Sequence, residues 1–380
     1  MLRIGRERWA SWLKHPGYDD VPFARPSLGI VCKELLDRGI LALMSGTSGF
    51  WARPRDVDAY VKEEVVRAVE LYGEEGWLDD PASYHVRPPE LRHVEIKRAF
   101  GWPRHEHLRF ESEYEPPAGD PGRERWLDYA DNRTAHAFLM RQADESRPWL
   151  VTIHGYGMGH AIADFQGIRA RHLHGTLGMN VVAYVMPLHG PRRTTGTFGS
   201  DLFTGGVANI VHGEAQAMWD LRRIFSWIRS RGATKIGVKG LSLGGYTAAL
   251  MACLEDDLAC AIAGIPACDF IDLFRRHMPR DYGEIPAEVE AFWSDARRVL
   301  SVISPLAMPP RIPRERRFIF AGLVDRLVPP AVVRELWEHW DRPQIGWYPG
   351  SHVSFLLEPT VREFLESAYR ACGMVTAEAV

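Results

Sequence analysis

The sequence predicts one large α/β domain, in which a mostly parallel central sheet is flanked by helices, preceded by a helical N-terminal extension. Short β-rich apolar runs alternate with amphipathic helical stretches from about residue 107 onward. The first 106 residues lack this alternation. The length of 380 residues fits such a domain with an extension, being too long for most compact domains and too short for three.

Composition excludes several classes of protein. Apolar residues at 46% and charged residues at 25% are ordinary globular values, which exclude a disordered, collagen-like or coiled-coil chain. The net charge of −3 and the absence of a basic stripe argue against nucleic acid or an anionic membrane as partner. We therefore expect a small-molecule partner, and the oligomeric state cannot be read from the sequence.

Cysteine usage and hydropathy indicate the compartment. The 5 cysteines show no CxxC spacing, which argues against a disulfide framework and a structural zinc site. No stretch approaches the ~18 consecutive apolar residues of a transmembrane helix, and the charged start of the chain has no apolar core of a signal peptide. These features predict a cytoplasmic protein without stable membrane insertion.

Residues 1–106 are predicted to form a mainly helical extension that packs on the main domain. A helix is predicted from Asp56 to Tyr72, because apolar side chains recur there at helical spacing. The side chains expected on its buried face are Val61, Val65, Ala68 and Tyr72.

The main domain, residues 107–380, is predicted to begin with an antiparallel hairpin and to continue with strands buried on both faces. The predicted strands are His107–Tyr114, Thr134–Met140, Trp149–Ile153, Asn180–Val185, Lys235–Val238, Ala259–Ile262 and Arg317–Phe320. Long amphipathic helices are expected at about 207–231 and at 359–370. The segment 270–310 interrupts the alternation, either as a cap over a site or as a helical excursion that packs on the body.

A nucleophile elbow is the strongest chemical signal in the chain. The strand ending near Val238 runs into Gly240-Leu-Ser242-Leu-Gly244 and then into a stretch compatible with a helix. This is G-x-S-x-G in its required strand, turn and helix context. The glycines are expected where a Cβ would clash in the sharp turn. Ser242 is the predicted nucleophile.

Serine needs a base to take its proton and an acid to orient that base. Asp325 lies just past the tip of a predicted strand, and His352 lies on a glycine-rich loop before the last helix. Asp269, at the end of the preceding strand, is the rival acid. We predict Ser242, His352 and Asp325 as a catalytic triad.

Acyl transfer also needs donors for the oxyanion. The loop His154-Gly155-Tyr156-Gly157 follows a predicted strand early in the domain. We assign the two donors to the backbone N–H groups of Leu243 and Tyr156, and we expect His154, Gly155 and Gly157 to support that loop. The alternative, a dinucleotide fingerprint, has the wrong glycine spacing.

These motifs and their chain order resemble the α/β-hydrolase superfamily over roughly residues 107 to 373. Within it, three stretches are similar to the family of α/β-hydrolase domain-containing protein 18: Pro187–Arg193, Gly199–Gly206 and Arg316–Gly322. The resemblance implies a serine hydrolase with an N-terminal extension, and it supplies no substrate.

Several histidines and two arginines are further candidates for ligand binding. His172, His174, His189 and His212 make no metal-ligand motif and are interpreted as structural histidines. Arg192 and Arg193 could bind an anionic group, although pairing with a nearby acid such as Asp201 is the favoured use. No cofactor or metal is expected.

The sequence therefore predicts a serine esterase acting on a carboxylic ester, with an apolar or lipid-like acyl group as one possibility. Thioesterase, acyltransferase and peptidase activities share the same acyl-enzyme chemistry and stay open. A homologue that only binds its ligand is the contrasting hypothesis.

Overall fold

The computed structural model describes residues 20–47, 59–101, 103–194, 201–277 and 287–375. Some predicted features lie partly outside these ranges. They are the first residues of the extension, the start of the helix predicted from Asp56, the start of the stretch Gly199–Gly206, and residues 278–286 of the segment 270–310.

The described residues contain a nine-stranded mixed sheet with the order β1-β2-β3-β5-β4-β6-β7-β8-β9. Its strands are β1 (Glu95–Ala99), β2 (His105–Glu111), β3 (Thr134–Met140), β4 (Trp149–Ile153), β5 (Asn180–Tyr184), β6 (Ile236–Leu241), β7 (Cys260–Gly264), β8 (Arg317–Gly322) and β9 (Gln344–Tyr348). The pairs among β1, β2, β3 and β5 are antiparallel, and the pairs from β5 through β4 to β9 are parallel. The predicted fold class, a mostly parallel sheet flanked by helices, is confirmed.

Helices cover both faces of the sheet. Within the described ranges they are α1 (Leu28–Thr47), α2 (Ala59–Glu74), α3 (Arg123–Leu127), α4 (Ala161–Ile168), α5 (Ala170–Gly175), α6 (Asp201–Thr204), α7 (Gly206–Ser230), α8 (Leu243–Leu254), α9 (Phe270–His277), α10 (Ala287–Leu300), α11 (Pro330–His339) and α12 (Pro359–Ala371). Short 3₁₀ turns lie at Pro81–Tyr84, Ala130–Arg133, Gly190–Arg192, Ser301–Ile303, Arg314–Arg316 and Ser354–Leu357.

The core forms on both faces of the sheet because successive side chains of a strand point to opposite faces. In β6, Val238 belongs to the apolar cluster that contains Phe225 of α7. Leu241, three residues later, belongs to the cluster that contains Phe165 of α4. The strand is buried throughout. Its C-terminal end is therefore held rigidly where the predicted nucleophile follows.

The N-terminal part of the chain contains a strand as well as helices. Helix α2 buries the four predicted side chains, Val61, Val65, Ala68 and Tyr72. However, strand β1 lies within residues 1–106 and pairs with β2. The sheet thus begins before residue 107, and the extension contributes an edge strand as well as helices.

Candidate active site

The turn between β6 and α8 has a strained conformation at Ser242. Ser242 has φ 57° and ψ −113°, in a region that non-glycine residues rarely adopt. Its N–H donates to the Gly264 carbonyl oxygen at 2.9 Å, which ties the turn to neighbouring strand β7. Ser242 is partly exposed, so its hydroxyl can meet a ligand.

Glycines flank Ser242 because the chain passes too close for a Cβ. A Cβ at Gly240 would overlap the Gly244 carbonyl oxygen, and one at Gly244 would overlap the Ile153 carbonyl oxygen. Both overlaps involve backbone, which cannot move aside as a flexible side chain can. These contacts explain why G-x-S-x-G is needed between β6 and α8.

Three side chains from separate loops form one hydrogen-bonded chain. The Ser242 hydroxyl lies 2.9 Å from His352 Nε2, where it can donate to the ring. His352 Nδ1 lies 2.7 Å from Asp325 Oδ2 and donates to that carboxylate. The structure thus brings together the three residues predicted as a triad, in the arrangement that base-assisted attack by a serine requires.

Asp325 is positioned by the loop that follows β8. Its second oxygen, Oδ1, accepts the N–H of Leu327 at 2.9 Å and that of Val328 at 2.8 Å. The carboxylate is almost fully buried. Since both oxygens are engaged, the acid is held in one orientation toward His352.

The surroundings of His352 favour its protonated form. Burial by itself lowers the pKa of His352, but the adjacent Asp325 carboxylate outweighs it, so that the pKa lies above its ordinary value. The negative charge of Asp325 stabilises the imidazolium that would form when His352 takes the serine proton.

Asp37, a buried acid beside the predicted triad, was not identified from the sequence. Its Oδ2 accepts the N–H of His352 at 2.9 Å and the N–H of Arg326 at 3.0 Å. Burial raises the pKa of Asp37, and the nearby Asp325 charge adds to the shift. No local signal in the sequence marks Asp37, because Glu34 lies on the same face of α1 and both N–H partners of Asp37 are distant along the chain.

The loop after β4 runs beside the elbow. A Cβ at Gly155 would lie 3.3 Å from the Leu241 carbonyl oxygen and 3.5 Å from Ser242 Cβ, so this backbone approaches Ser242 closely. His154 Nδ1 donates to the Gly155 carbonyl oxygen, and its Nε2 accepts the N–H of Met186. Burial lowers the pKa of His154 to about 4, so the imidazole is neutral near pH 7 and supports the loop through these two hydrogen bonds.

The same loop carries Tyr156, one of the two predicted oxyanion donors, into the lining of the pocket that contains Ser242. Gly157 has φ +78°, which a glycine adopts without strain. Tyr156 and Leu243 both line the pocket that contains Ser242. Leu243 is the first residue of α8, where backbone N–H groups point out of the helix. This placement suits the two assigned donors.

An apolar pocket opens at Ser242. Its walls come from α1, α6, α8, α9 and the loops after β4, β7 and β8. They are Leu41, Tyr156, Phe203, Leu243, Ala267, Phe270, Leu273, Phe274, Leu327 and Val328. None of these described residues carries a charge. Both candidate caps, the N-terminal extension and the segment 270–310, contribute a wall.

The rival acid Asp269 and the buried Arg192 have other partners. Asp269 pairs with Arg297 of α10 and accepts the N–H of Asp272 at the start of α9. Arg192 is fully buried and pairs with Asp220 at 2.9 Å. Arg192 thus pairs with an acid, the use favoured over ligand binding, and that acid is Asp220.

The predicted structural histidines each make a hydrogen bond. His189 bonds to the Pro187 carbonyl oxygen, His212 to that of Pro121, His174 to that of Arg141, and His172 to Glu366. Within the described ranges, no three His, Cys, Asp or Glu side chains are arranged to hold a metal ion. Among the helices described, none has the length and apolar character to cross a bilayer.

Comparisons with known proteins agree with this architecture. Residues 91–268 match the family described as "Alpha/beta hydrolase domain containing 18". The chain is 40% identical over 377 residues to the uncharacterized protein MT2702 of Mycobacterium tuberculosis (strain CDC 1551 / Oshkosh), covering 97% of this chain and 89% of the relative. It is 39% identical, with the same coverage, to the uncharacterized protein Rv2627c of M. tuberculosis (strain ATCC 25618 / H37Rv).

A solved structure shares the fold at low sequence identity. The acetyl xylan esterase from Paenibacillus sp. R4 superposes with a TM-score of 0.51 at 16% identity, covering 80% of this chain and 94% of that one. The sheet order, the elbow and the family match lead to one conclusion: the chain belongs to the α/β hydrolases, and its residues 91–268 match the family of α/β-hydrolase domain-containing protein 18.

Proposed function

We propose that the protein is a serine esterase that hydrolyses carboxylic esters through a covalent acyl-enzyme. The observation that carries this proposal is the unbroken hydrogen-bonded chain from Asp325 through His352 to Ser242, which ends at an apolar pocket. A nucleophile, a base and an orienting acid in this order are what acyl transfer requires.

The reaction begins with attack of Ser242 Oγ on the ester carbonyl carbon, as His352 Nε2 takes the hydroxyl proton. The carbonyl oxygen becomes an oxyanion, which the N–H groups of Leu243 and Tyr156 would receive. When the tetrahedral intermediate collapses, the bond to the leaving alcohol breaks and His352 returns its proton to that alcohol. The acyl group stays on Ser242.

Water completes the cycle. His352 takes a proton from water, the resulting hydroxide attacks the acyl carbon, and collapse breaks the bond to Ser242 Oγ. The serine recovers its proton from His352, and the acid leaves. Asp325 keeps the imidazole oriented and stabilises its cation in both halves of the cycle.

The pocket supports an apolar acyl or alcohol group. The ring of Phe203 packs against three aromatic rings. Its centroid lies 5.2 Å from that of Tyr156, 5.8 Å from that of Phe270 and 5.9 Å from that of Phe274. Because these rings and the aliphatic walls offer no charged partner, a charged acyl chain would lose its hydration without compensation. A neutral aliphatic or aromatic group fits this lining.

A substrate panel tests the proposal. Hydrolysis is measured for p-nitrophenyl esters of increasing acyl length, and for a thioester and an anilide that carry the same acyl group. We expect the esters to be hydrolysed fastest, with a preferred apolar chain length and no activity on a charged acyl analogue. Ser242→Ala is the matched control. Wild-type rates no higher than those of this variant across the panel would contradict the proposal.

A further inference from the structure

Helix α1 buries two acids and exposes two leucines beside them. Leu35 and Leu36 are 58% and 52% exposed, whereas Glu34 is 9% exposed and Asp37 is fully buried. Glu34 and Asp37 lie on one face of the helix because they are three residues apart. A buried carboxylate is costly unless hydrogen bonds compensate it. The contacts of this face must therefore explain why acids occupy it.

Asp37 joins the two loops that carry the acid and the base of the proposed reaction. The same oxygen, Oδ2, accepts the N–H of Arg326 and the N–H of His352. Arg326 directly follows Asp325 on the loop after β8, and His352 lies on the loop after β9. One carboxylate oxygen thus bridges the backbone of both loops.

We propose that Asp37 is a positioning residue for the relay, the hydrogen-bonded chain of Ser242, His352 and Asp325. By holding the two loops at a fixed separation, it keeps His352 Nδ1 on Asp325 and His352 Nε2 on Ser242. This inference rests on the proposed esterase function. Asp37 is not among the residues that line the pocket. Its loss should consequently lower kcat and leave KM unchanged.

Other contacts of α1 allow docking of the helix to be tested separately. Glu34 pairs with the Arg326 side chain at 2.9 Å, and Lys33 donates to the Pro349 carbonyl oxygen at 3.0 Å and pairs with Glu358. These contacts hold α1 on the same loops, but they do not engage the N–H groups of Arg326 and His352. Glu34→Gln is therefore the matched control for Asp37→Ala.

The expected results follow from the hydrogen bonds. Asp37→Ala removes the acceptor of both N–H groups and should lower kcat by roughly 10²-fold, the effect of a small misplacement of catalytic groups. Asp37→Asn keeps an amide oxygen and should recover most of the activity. Glu34→Gln should match wild type. Should Asp37→Ala fail to fold, the isosteric Asp37→Leu replaces it with the same expected loss.

A second readout separates positioning from activity. The His352 Nδ1–H proton bonded to Asp325 is followed as a downfield proton NMR resonance. We expect it in wild type and in Asp37→Asn, and we expect it to be lost in Asp37→Ala. A wild-type kcat and resonance in Asp37→Ala would overturn the inference, as would equal losses in Glu34→Gln that track melting temperature. If wild type hydrolyses no ester but the resonance depends on Asp37 as expected, the proposed function fails and the positioning role stands.

Discussion

Two acids follow neighbouring parallel strands at the same edge of the sheet, and their surroundings differ. The carboxylate of Asp325, after β8, accepts three hydrogen bonds, from the N–H groups of His352, Leu327 and Val328. Asp269, after β7, accepts the N–H of Asp272 and pairs with Arg297. One acid is thus directed toward the base, and the other caps helix α9 and binds a partly exposed arginine.

The difference shows that a position at the end of a strand does not by itself select the acid. Both loops bring a carboxylate to the correct edge of the sheet, as parallel strands do. What distinguishes Asp325 is that its loop returns two N–H groups to the carboxylate, which leaves the other oxygen facing His352. The proposed function gives this difference a measurable consequence.

Replacing Ser242, the proposed nucleophile, should have the largest effect on activity, whichever of the two acids orients His352. Ser242→Ala should reduce kcat by about 10⁵–10⁶-fold, because the nucleophile is removed and other triads lose that much. Steady-state hydrolysis of the best ester measures the loss, and circular dichroism checks that the fold is retained. Activity within about 10-fold of wild type, against the 10⁵-fold or greater loss seen in other triads, would place the nucleophile elsewhere.

Exchange of each acid for its amide tests the comparison directly. Asp325→Asn should lower kcat by roughly 10⁴-fold, because the amide cannot stabilise the imidazolium or hold the required tautomer. Asp269→Asn should change kcat little, since asparagine caps a helix about as well as aspartate. The two variants are assayed side by side on one ester. The opposite ranking would make Asp269 the acid.

The pH dependence of kcat/KM also distinguishes Asp325 from Asp269, with a smaller effect. His352 must be neutral to accept the serine proton, and Asp325 holds its pKa above the ordinary value of 6.5 despite burial. In wild type, kcat/KM should therefore fall about tenfold for each pH unit below that raised pKa. The acidic limb should stay in place in Asp269→Asn and move to lower pH in Asp325→Asn.

A limb that is unmoved in Asp325→Asn would separate the titrating group from the Asp325 carboxylate. A limb that moves in Asp269→Asn would show that Asp269 acts on the base after all.

Much of the fold could be predicted because buried strands carry a strong signal. Thr134–Met140 and Trp149–Ile153 were predicted with the observed bounds, since both are apolar runs between clear turns. The edge strands Glu95–Ala99 and Gln344–Tyr348 were missed. Each is half-exposed and mixes polar with apolar residues, so the pattern that marks a buried strand is absent.

The site was predictable where the chemistry imposes a local motif. Ser242 has flanking glycines that the turn requires. Asp325 could be selected by its order and by the predicted strand before it, and His352 by its order and by the glycine-rich loop before the last helix. Asp37 could not be selected in this way. Its partners, the N–H groups of Arg326 and His352, lie about three hundred residues away and leave no pattern in the sequence around it.

The most direct test of the relay is covalent capture with a fluorophosphonate probe, followed by intact-mass measurement and peptide mapping. The probe reports whether the hydroxyl next to His352 is activated, whatever the natural ester proves to be. We predict a single adduct, on Ser242, in wild type and in Asp269→Asn, and slow capture in Asp325→Asn. A folded wild-type protein that forms no adduct, as expected of a homologue that only binds its ligand, or an adduct on another residue, would contradict the account.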